Sequence, residues 1–309
     1  MTTLHLARHE PGGDPILLLL HGLGATGEVW EDLLKRHWEG EVIAPDLPGH
    51  GRSPRLDTYT FESMAASVAA VLPEGRQVVV LGHSLGGVLA LTLAATGHVA
   101  AACGLGIKLR WSDAELTKAA EVASRPERVF ATREEAVDRW LKVSGLAGLV
   151  APDSPLVDAG VLAPADRVLA PDDQVQAPDD RGLALDDRVQ APDAGVLTSD
   201  AGVPASDAAV PVSGAGVPVS DDGWRVAVDP AAFGVGAPDV PALLARATCP
   251  TILAAGERDP MCPPEHLLDV APDAVVLPRA GHNVHVESPP LLWPILDRLL
   301  LSVTDALGQ

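Results

Sequence analysis

The sequence predicts an α/β chain: a doubly wound, mostly parallel sheet with a small helical lid that carries a low-complexity insertion. Three observations predict it. Short apolar runs recur, each ending in a glycine-containing turn, as expected of parallel strands covered on both faces. Helix-like stretches stand between those runs, the alternation of a doubly wound layout. The pattern stops after about residue 108 and resumes at about 241, so residues 1–108 and 241–309 read as two parts of one core, with 109–240 as a lid region.

Taken in order, residues 16–20 (Ile and four Leu) form the first strand and run into His21-Gly22-Leu23-Gly24. Residues 41–44 form a second, ending at Pro45-Asp46-Leu47-Pro48-Gly49-His50-Gly51-Arg52-Ser53. A helix over 61–72 places Met64, Val68 and Leu72 at four-residue steps, with Thr60 as its cap. Residues 78–81 are a third strand, followed by Gly82-His83-Ser84-Leu85-Gly86-Gly87 and a small-residue helix over 85–95. A fourth strand is expected near 99–105. In the lid, 112–124 and 132–143 read as amphipathic helices, the first with Ser112 and Glu115 at the spacing of a capping box. The last part gives a helix at 242–247, a strand at 251–255 before Gly256-Glu257-Arg258-Asp259-Pro260, and a helix at 264–268. A strand at 274–277 precedes Arg279-Ala280-Gly281-His282, and a closing helix covers 290–301.

Composition narrows the function classes. The chain has 309 residues, 47 % of them hydrophobic, and 22 Lys+Arg against 42 Asp+Glu give a net charge of −20. That sign argues against binding a nucleic-acid backbone or docking on anionic membranes. No run approaches the roughly 20 apolar residues of a spanning helix, and the polar start lacks a secretory signal's profile. Three cysteines (Cys103, Cys249, Cys262) form no disulfide framework or zinc spacing, which points to the reducing cytoplasm.

Charge is unevenly spread. Residues 151–223 hold 14 Asp, 3 Arg, 9 Pro and 7 Gly, with no aromatic, and account for −11 of the net charge. From Ala163 the chain repeats in seven-residue units such as APDDQVQ and APDDRGL. Proline within the units excludes a coiled coil, and so few bulky apolar side chains cannot offset the entropy of ordering. The tract reads as a disordered or irregular expansion, a partly packed spacer and a calcium-binding repeat being the alternatives. A role as a solvated surface for a protein partner is also open.

Gly82-His83-Ser84-Leu85-Gly86 carries the chemistry. A serine on a sharp turn between strand and helix projects its hydroxyl beyond the sheet and aims helix N–H groups at what it attacks. Asp259 and His282 follow later strands in the chain order this arrangement requires: His282 to take the hydroxyl proton and Asp259 to orient the imidazole. The plainer alternatives are a helix cap for Ser84 and turn residues for the other two. His285 and His266 compete with His282, but only His282 has a glycine immediately before it. Backbone N–H groups of Leu23 and Leu85 would stabilise an oxyanion, Gly22 and Gly24 letting the first loop approach. His21, His83, Gly82 and Gly86 support these loops. Gly49 to Ser53 lacks a phosphate-binding lysine and reads as structural, with Asp46 bonding backbone groups beneath it. No metal-ligand spacing is present, and neither a metal nor another cofactor is expected.

These five motifs together resemble the α/β-hydrolase fold superfamily, in its branch of small lid-bearing serine hydrolases and esterases. The likeness covers 16–108 and 241–301, and includes Glu287 and Pro289 after Gly281-His282. It implies Ser84 as nucleophile, His282 as base and Asp259 as acid, Leu23 and Leu85 as oxyanion donors, and a lid inserted after the sixth strand, near Gly106. The acidic repeat has no counterpart in the family pattern. Serine at the elbow separates the chain from relatives that use an aspartate nucleophile. The implied reaction is hydrolysis of a small carboxylic ester through an acyl-enzyme; lactones, amides, carbon–carbon bonds beside a carbonyl and cofactor-free perhydrolysis use the same layout. Trp30, Trp111, Trp140, Trp224, Phe233 and Met261 are candidates for an apolar pocket wall, which would favour uncharged substrates. A binding protein that holds a small molecule without turning it over is the alternative of another class.

Overall fold

Four consecutive leucines after Ile16 cannot all face one side of a strand. In the computed structural model, which describes residues 3–35, 38–163 and 223–307, Leu17 and Leu19 enter one core while Ile16, Leu18 and Leu20 enter another across the sheet. All five are fully buried, each contributing on the order of 1.5–3 kcal/mol relative to an exposed position. They belong to β2 (Gly13–Leu20). The other strands are β1 (Leu6–Glu10), β3 (Gly40–Pro45), β4 (Val78–His83), β5 (Ala101–Leu105), the two-residue β6 (Val161–Leu162) and β7 (Arg225–Val226), β8 (Thr251–Gly256) and β9 (Val275–Leu277). Seven of them form one sheet in the order β1-β3-β2-β4-β5-β8-β9. Every pairing in it is parallel except β1 with β3.

Helices α1 (Phe61–Ala69) and α2 (Leu85–Ala95) cover one face, setting Met64, Val68, Leu89 and Leu93 against Leu18, Val80 and Ala102. The closing helix α8 (Trp293–Leu307) covers the other with Ile295, Leu296, Leu299 and Val303. Three further helices, α5 (Val240–Arg246), α6 (Pro264–Val270) and α7 (Val284–Glu287), belong to the last part of the chain. Between β5 and β8 lie α3 (Asp113–Ala123), with the Ser112–Glu115 capping box formed, and α4 (Arg133–Val143), capped by Thr132.

Several expectations shift. The first helix stops at Ala69, because Val71 and Leu72 make only short turns back to Val68 and Ala69 ahead of Pro73. The closing helix begins at Trp293, after a 3-10 turn through the two prolines at 289 and 290. Strand β1 was not foreseen: its LARHE sequence is polar because it is an antiparallel edge with one end exposed. Five strands of the described chain, β1 to β5, precede the helical segment, which begins beyond Gly106.

The acidic heptad tract lies outside the described residues between 163 and 223. Its flanks do not: Val161 pairs with Val226 and Leu162 with Arg225, so the chain leaves and returns at one two-stranded ribbon. Phe130 and Trp224 bridge beside it. Helix α4 ties this segment to the sheet through Trp140, which is fully buried in the same core as Leu17 and Leu81 and packs against Gly160. Replacing Trp140 with alanine is expected to destabilise the fold by about 3–5 kcal/mol, measured as a drop in urea midpoint. The same change at half-exposed Trp111 should cost far less.

Candidate active site

Strand order decides where the motifs meet. From β2 the chain crosses to β3 on one side, then returns to β4 on the other, so loops leaving β2 and β4 part company and open a crevice at their carboxyl ends. Those ends carry His21-Gly22-Leu23-Gly24 and Ser84. The neighbouring strands β5, β8 and β9 run into loops that carry Gly106, Asp259 and His282.

Ser84 sits at φ 50°, ψ −113°, one of two described non-glycine residues with positive φ. Its neighbours explain why. A Cβ on Gly82 would overlap the Gly86 carbonyl, and one on Gly86 would meet the Leu20 backbone and come 2.6 Å from the His21 oxygen. Only glycine lets the turn close that tightly. The Ser84 N–H donates to Leu105 O at 2.8 Å and Gly86 N–H to His21 O at 3.1 Å, which tie the turn to the ends of β5 and β2. The Leu23 and Leu85 N–H groups donate to no group of the described chain.

His282 and Asp259 are brought together. His282 Nδ1–H donates to the carboxylate at 2.9 Å and 3.0 Å. Asp259 is buried, and its Oδ1 also accepts from the N–H groups of Met261 (2.8 Å) and Cys262 (3.1 Å). Because a carboxylate only accepts, Nδ1 carries a proton, and in the neutral ring Nε2 holds the lone pair. The His282 loop is clamped by Glu287, which accepts from the N–H groups of Gly281 at 2.6 Å and Asn283 at 2.9 Å. Gly106 was not singled out as a site residue. At φ 63° it passes so close that a Cβ there would lie 3.2 Å from Asp259 Oδ2 and 3.4 Å from the His282 ring. Its only sequence signal is a glycine directly after an apolar strand.

No hydrogen bond joins Ser84 Oγ to His282; both face one cavity of about 320 Å³. Ser84 N–H is bonded to Leu105 O, and the next residue, Gly106, passes close beside the His282 ring. Hydrogen bonds of this kind commonly tighten when substrate binds. Leu23, Leu85, Trp111, Phe233 and Met261 line the cavity. Trp30 and Trp140 do not: both are fully buried in the core below, because their rings pack on His285 and Gly160 respectively. Trp224 is likewise absent from the wall, pairing its backbone with Phe130.

Beneath the crevice lies a cluster of imidazoles. His83 rests 4.6 Å from the His282 ring and 4.4 Å from that of His285, and its Nε2–H donates to the His282 carbonyl. Gly22 makes room for it: a Cβ there would lie 2.8 Å from His83 Nδ1. His21 accepts from the Leu47 N–H and donates to Gly22 O, both at 2.8 Å, which fixes its tautomer. The competitor His285 is buried against Trp30 and makes no contact with Asp259. Burial pushes His21 and His83 well below the usual imidazole range, His50 to about 4 and His285 to about 3. Desolvation likewise lifts the thiols of Cys103 and Cys262 to about 12, so neither is a ready nucleophile. Asp46 accepts from the N–H groups of Gly27 and Arg52 and braces the loop below, as expected. Among the described residues no group of three His, Cys, Asp or Glu is placed to hold a metal ion.

These neutral imidazoles bear on stability. The unfolded chain protonates them near pH 6.5, whereas the folded chain resists until about pH 4 for His50 and about pH 3 for His285. Their stabilisation is complete above about pH 6.5 and lost as pH falls, at about 2 kcal/mol per group between pH 7 and 5. Urea titrations at pH 7, 6 and 5 should show this decline. His50→Asn, which keeps a donor for Pro48 O, should flatten the slope by about 1.4 kcal/mol per pH unit.

Comparison with known proteins agrees with this architecture. A lipase from Mycobacterium tuberculosis, LipV, is 40% identical over 94 residues, covering 30% of this chain and 36% of that protein. A pimeloyl-[acyl-carrier protein] methyl ester esterase from Sodalis glossinidius is 44% identical over 85 residues, 26% of this chain and 32% of its own. The matches thus span about a third of each relative's length. Among solved structures, E-2-(acetamidomethylene)succinate hydrolase superposes with a TM-score of 0.63 at 20% identity, over 94% of both chains. An esterase from Thermogutta terrifontis gives 0.59 at 20% identity, over 98% of this chain and 97% of its own. The model of the alpha/beta hydrolase family matches residues 17–292, nearly the whole chain, and the protein belongs to that family.

Proposed function

We propose that this protein is a serine hydrolase acting on a carboxylic ester with an apolar body, through an acyl-enzyme. The observation that carries the reading is the His282–Asp259 pair: Nδ1–H is given to buried Asp259, and His282 lines the same cavity as Ser84, whose backbone is strained. In the reading, His282 takes the proton from Ser84 as it attacks the ester carbonyl. The Leu23 and Leu85 N–H groups receive the developing oxyanion, and imidazolium formed beside Asp259 is stabilised by the carboxylate. His282 then protonates the leaving alcohol and, in the second half, activates water. In this reading residues 109–240 are the lid region of the site, since α3 and α4, which lie in its described part, supply Val122, Arg139 and Val143 to the cavity wall. The lipase and methyl ester esterase names of the two sequence relatives support an ester as the substrate class.

Ser84→Ala should lower turnover of p-nitrophenyl esters by several orders of magnitude with unchanged circular dichroism, and abolish labelling by a fluorophosphonate probe. Retained turnover in a clean preparation would remove Ser84 from the mechanism. A binding protein without catalysis would show neither turnover nor labelling in the unaltered chain. Ser84→Gly should also be inactive, yet melt higher, because glycine relieves about 1–3 kcal/mol of backbone strain.

A further inference from the structure

In a chain of net charge −20, the wall of the catalytic cavity inverts the sign. Its lining includes three cations, Lys108, Arg139 and Lys142, and no carboxylate. Two are already engaged. Lys108 is paired with Glu115 and lies 5.0 Å over the Trp111 ring, and Lys142 pairs with Asp138 at 2.7 Å. Arg139, half-buried, makes no hydrogen bond or ion pair with any described residue.

Its position is set by the fold. Ala136, Val137 and Trp140 hold α4 to the core, and Asn283 Nδ2 donates to Gly145 O at 2.9 Å, pinning the helix end to the His282 loop. Val143 stands against Gly24, where a Cβ would come within 2.8 Å of its side chain. Arg139 is one turn earlier on the same side, about 6 Å along the axis. There it also borders a second cavity of about 470 Å³, lined by Phe130, Val226 and Val228 together with the charged Arg125, Glu127 and Arg128, which shares Val122, Val143 and Phe233 with the first. A guanidinium between these two cavities has, among the described residues, no partner of the kind its planar fork is shaped for.

We propose that Arg139 is a specificity-determining residue that selects esters bearing a carboxylate at the end of an apolar chain: the ester reaches Ser84 and the carboxylate meets the guanidinium where the two cavities adjoin. The proposal rests on the hydrolase reading above and replaces the expectation of an uncharged substrate.

The test compares matched pairs on the whole protein. Mono-p-nitrophenyl adipate and suberate are run against p-nitrophenyl hexanoate and octanoate, and 6-acetoxyhexanoate against hexyl acetate, to place the carboxylate on either side of the ester. A charge-assisted pair should raise kcat/KM for at least one carboxylate ester about tenfold over its neutral counterpart, chiefly through KM. That ratio should fall to about one in Arg139→Gln, persist in Arg139→Lys, and shrink as salt is raised. In parallel, calorimetry on Ser84→Ala measures monomethyl suberate against methyl octanoate, which decides Arg139 whether or not turnover is seen. Equal binding of the two, or a preference unchanged by adding Arg139→Gln, overturns the proposal. Absence of turnover with preferential, Arg139-dependent binding would sink only the hydrolase reading.

Discussion

A hydroxyl can stand clear of a sheet edge only if the backbone carrying it folds back within a few residues, and that steric demand organises this molecule. Ser84 meets it at φ 50°, a conformation that costs a non-glycine residue stability. The turn closes because Gly82 and Gly86 are in near contact with each other and with the end of β2. Strand β4 must therefore lie beside β2 in parallel register, which it does from Ile16–Val78 to Leu20–Gly82. Helix α2 must leave at once and bury nearly all its residues behind the sheet, which its small and apolar sequence allows.

The same closeness propagates sideways. Ser84 is bonded to the end of β5, whose next residue, Gly106, leaves room for the Asp259–His282 pair arriving from β8 and β9. His83, adjacent to the serine, reaches across to the His282 carbonyl, so the loop bearing the imidazole is held from the Ser84 side as well as by Glu287. Positioning of the site is thus mostly backbone work, done by hydrogen bonds that survive little displacement. A layer of buried, neutral imidazoles fills the space beneath, which makes the site's support sensitive to acid.

Much of this was legible in the chain. Five motifs in order, each after a short apolar run, located the strand ends and named Ser84, Asp259 and His282. The capping residues Thr60, Ser112 and Thr132 were readable because caps act within one helical turn. Legibility failed where a residue's role depends on what approaches it through space. Trp30 and Trp140 look like pocket residues by type but lie in the core, since nothing local says which side of an element faces the crevice. Strand β1 is an edge whose polar sequence carries no periodic signal. Gly106 matters because Asp259 and His282, more than 150 positions away, arrive beside it.

Sequence alone determined the chemistry on offer and the order in which it is delivered, because strand-forming runs, caps and glycine turns are local properties of a few adjacent residues. Tertiary structure decided which imidazole pairs with the carboxylate, which tautomer it takes, and that a guanidinium with no partner among the described residues lines the cavity shared by Ser84 and His282. Those outcomes depend on strand order and on distances between segments far apart in the chain, set by packing of the whole sheet.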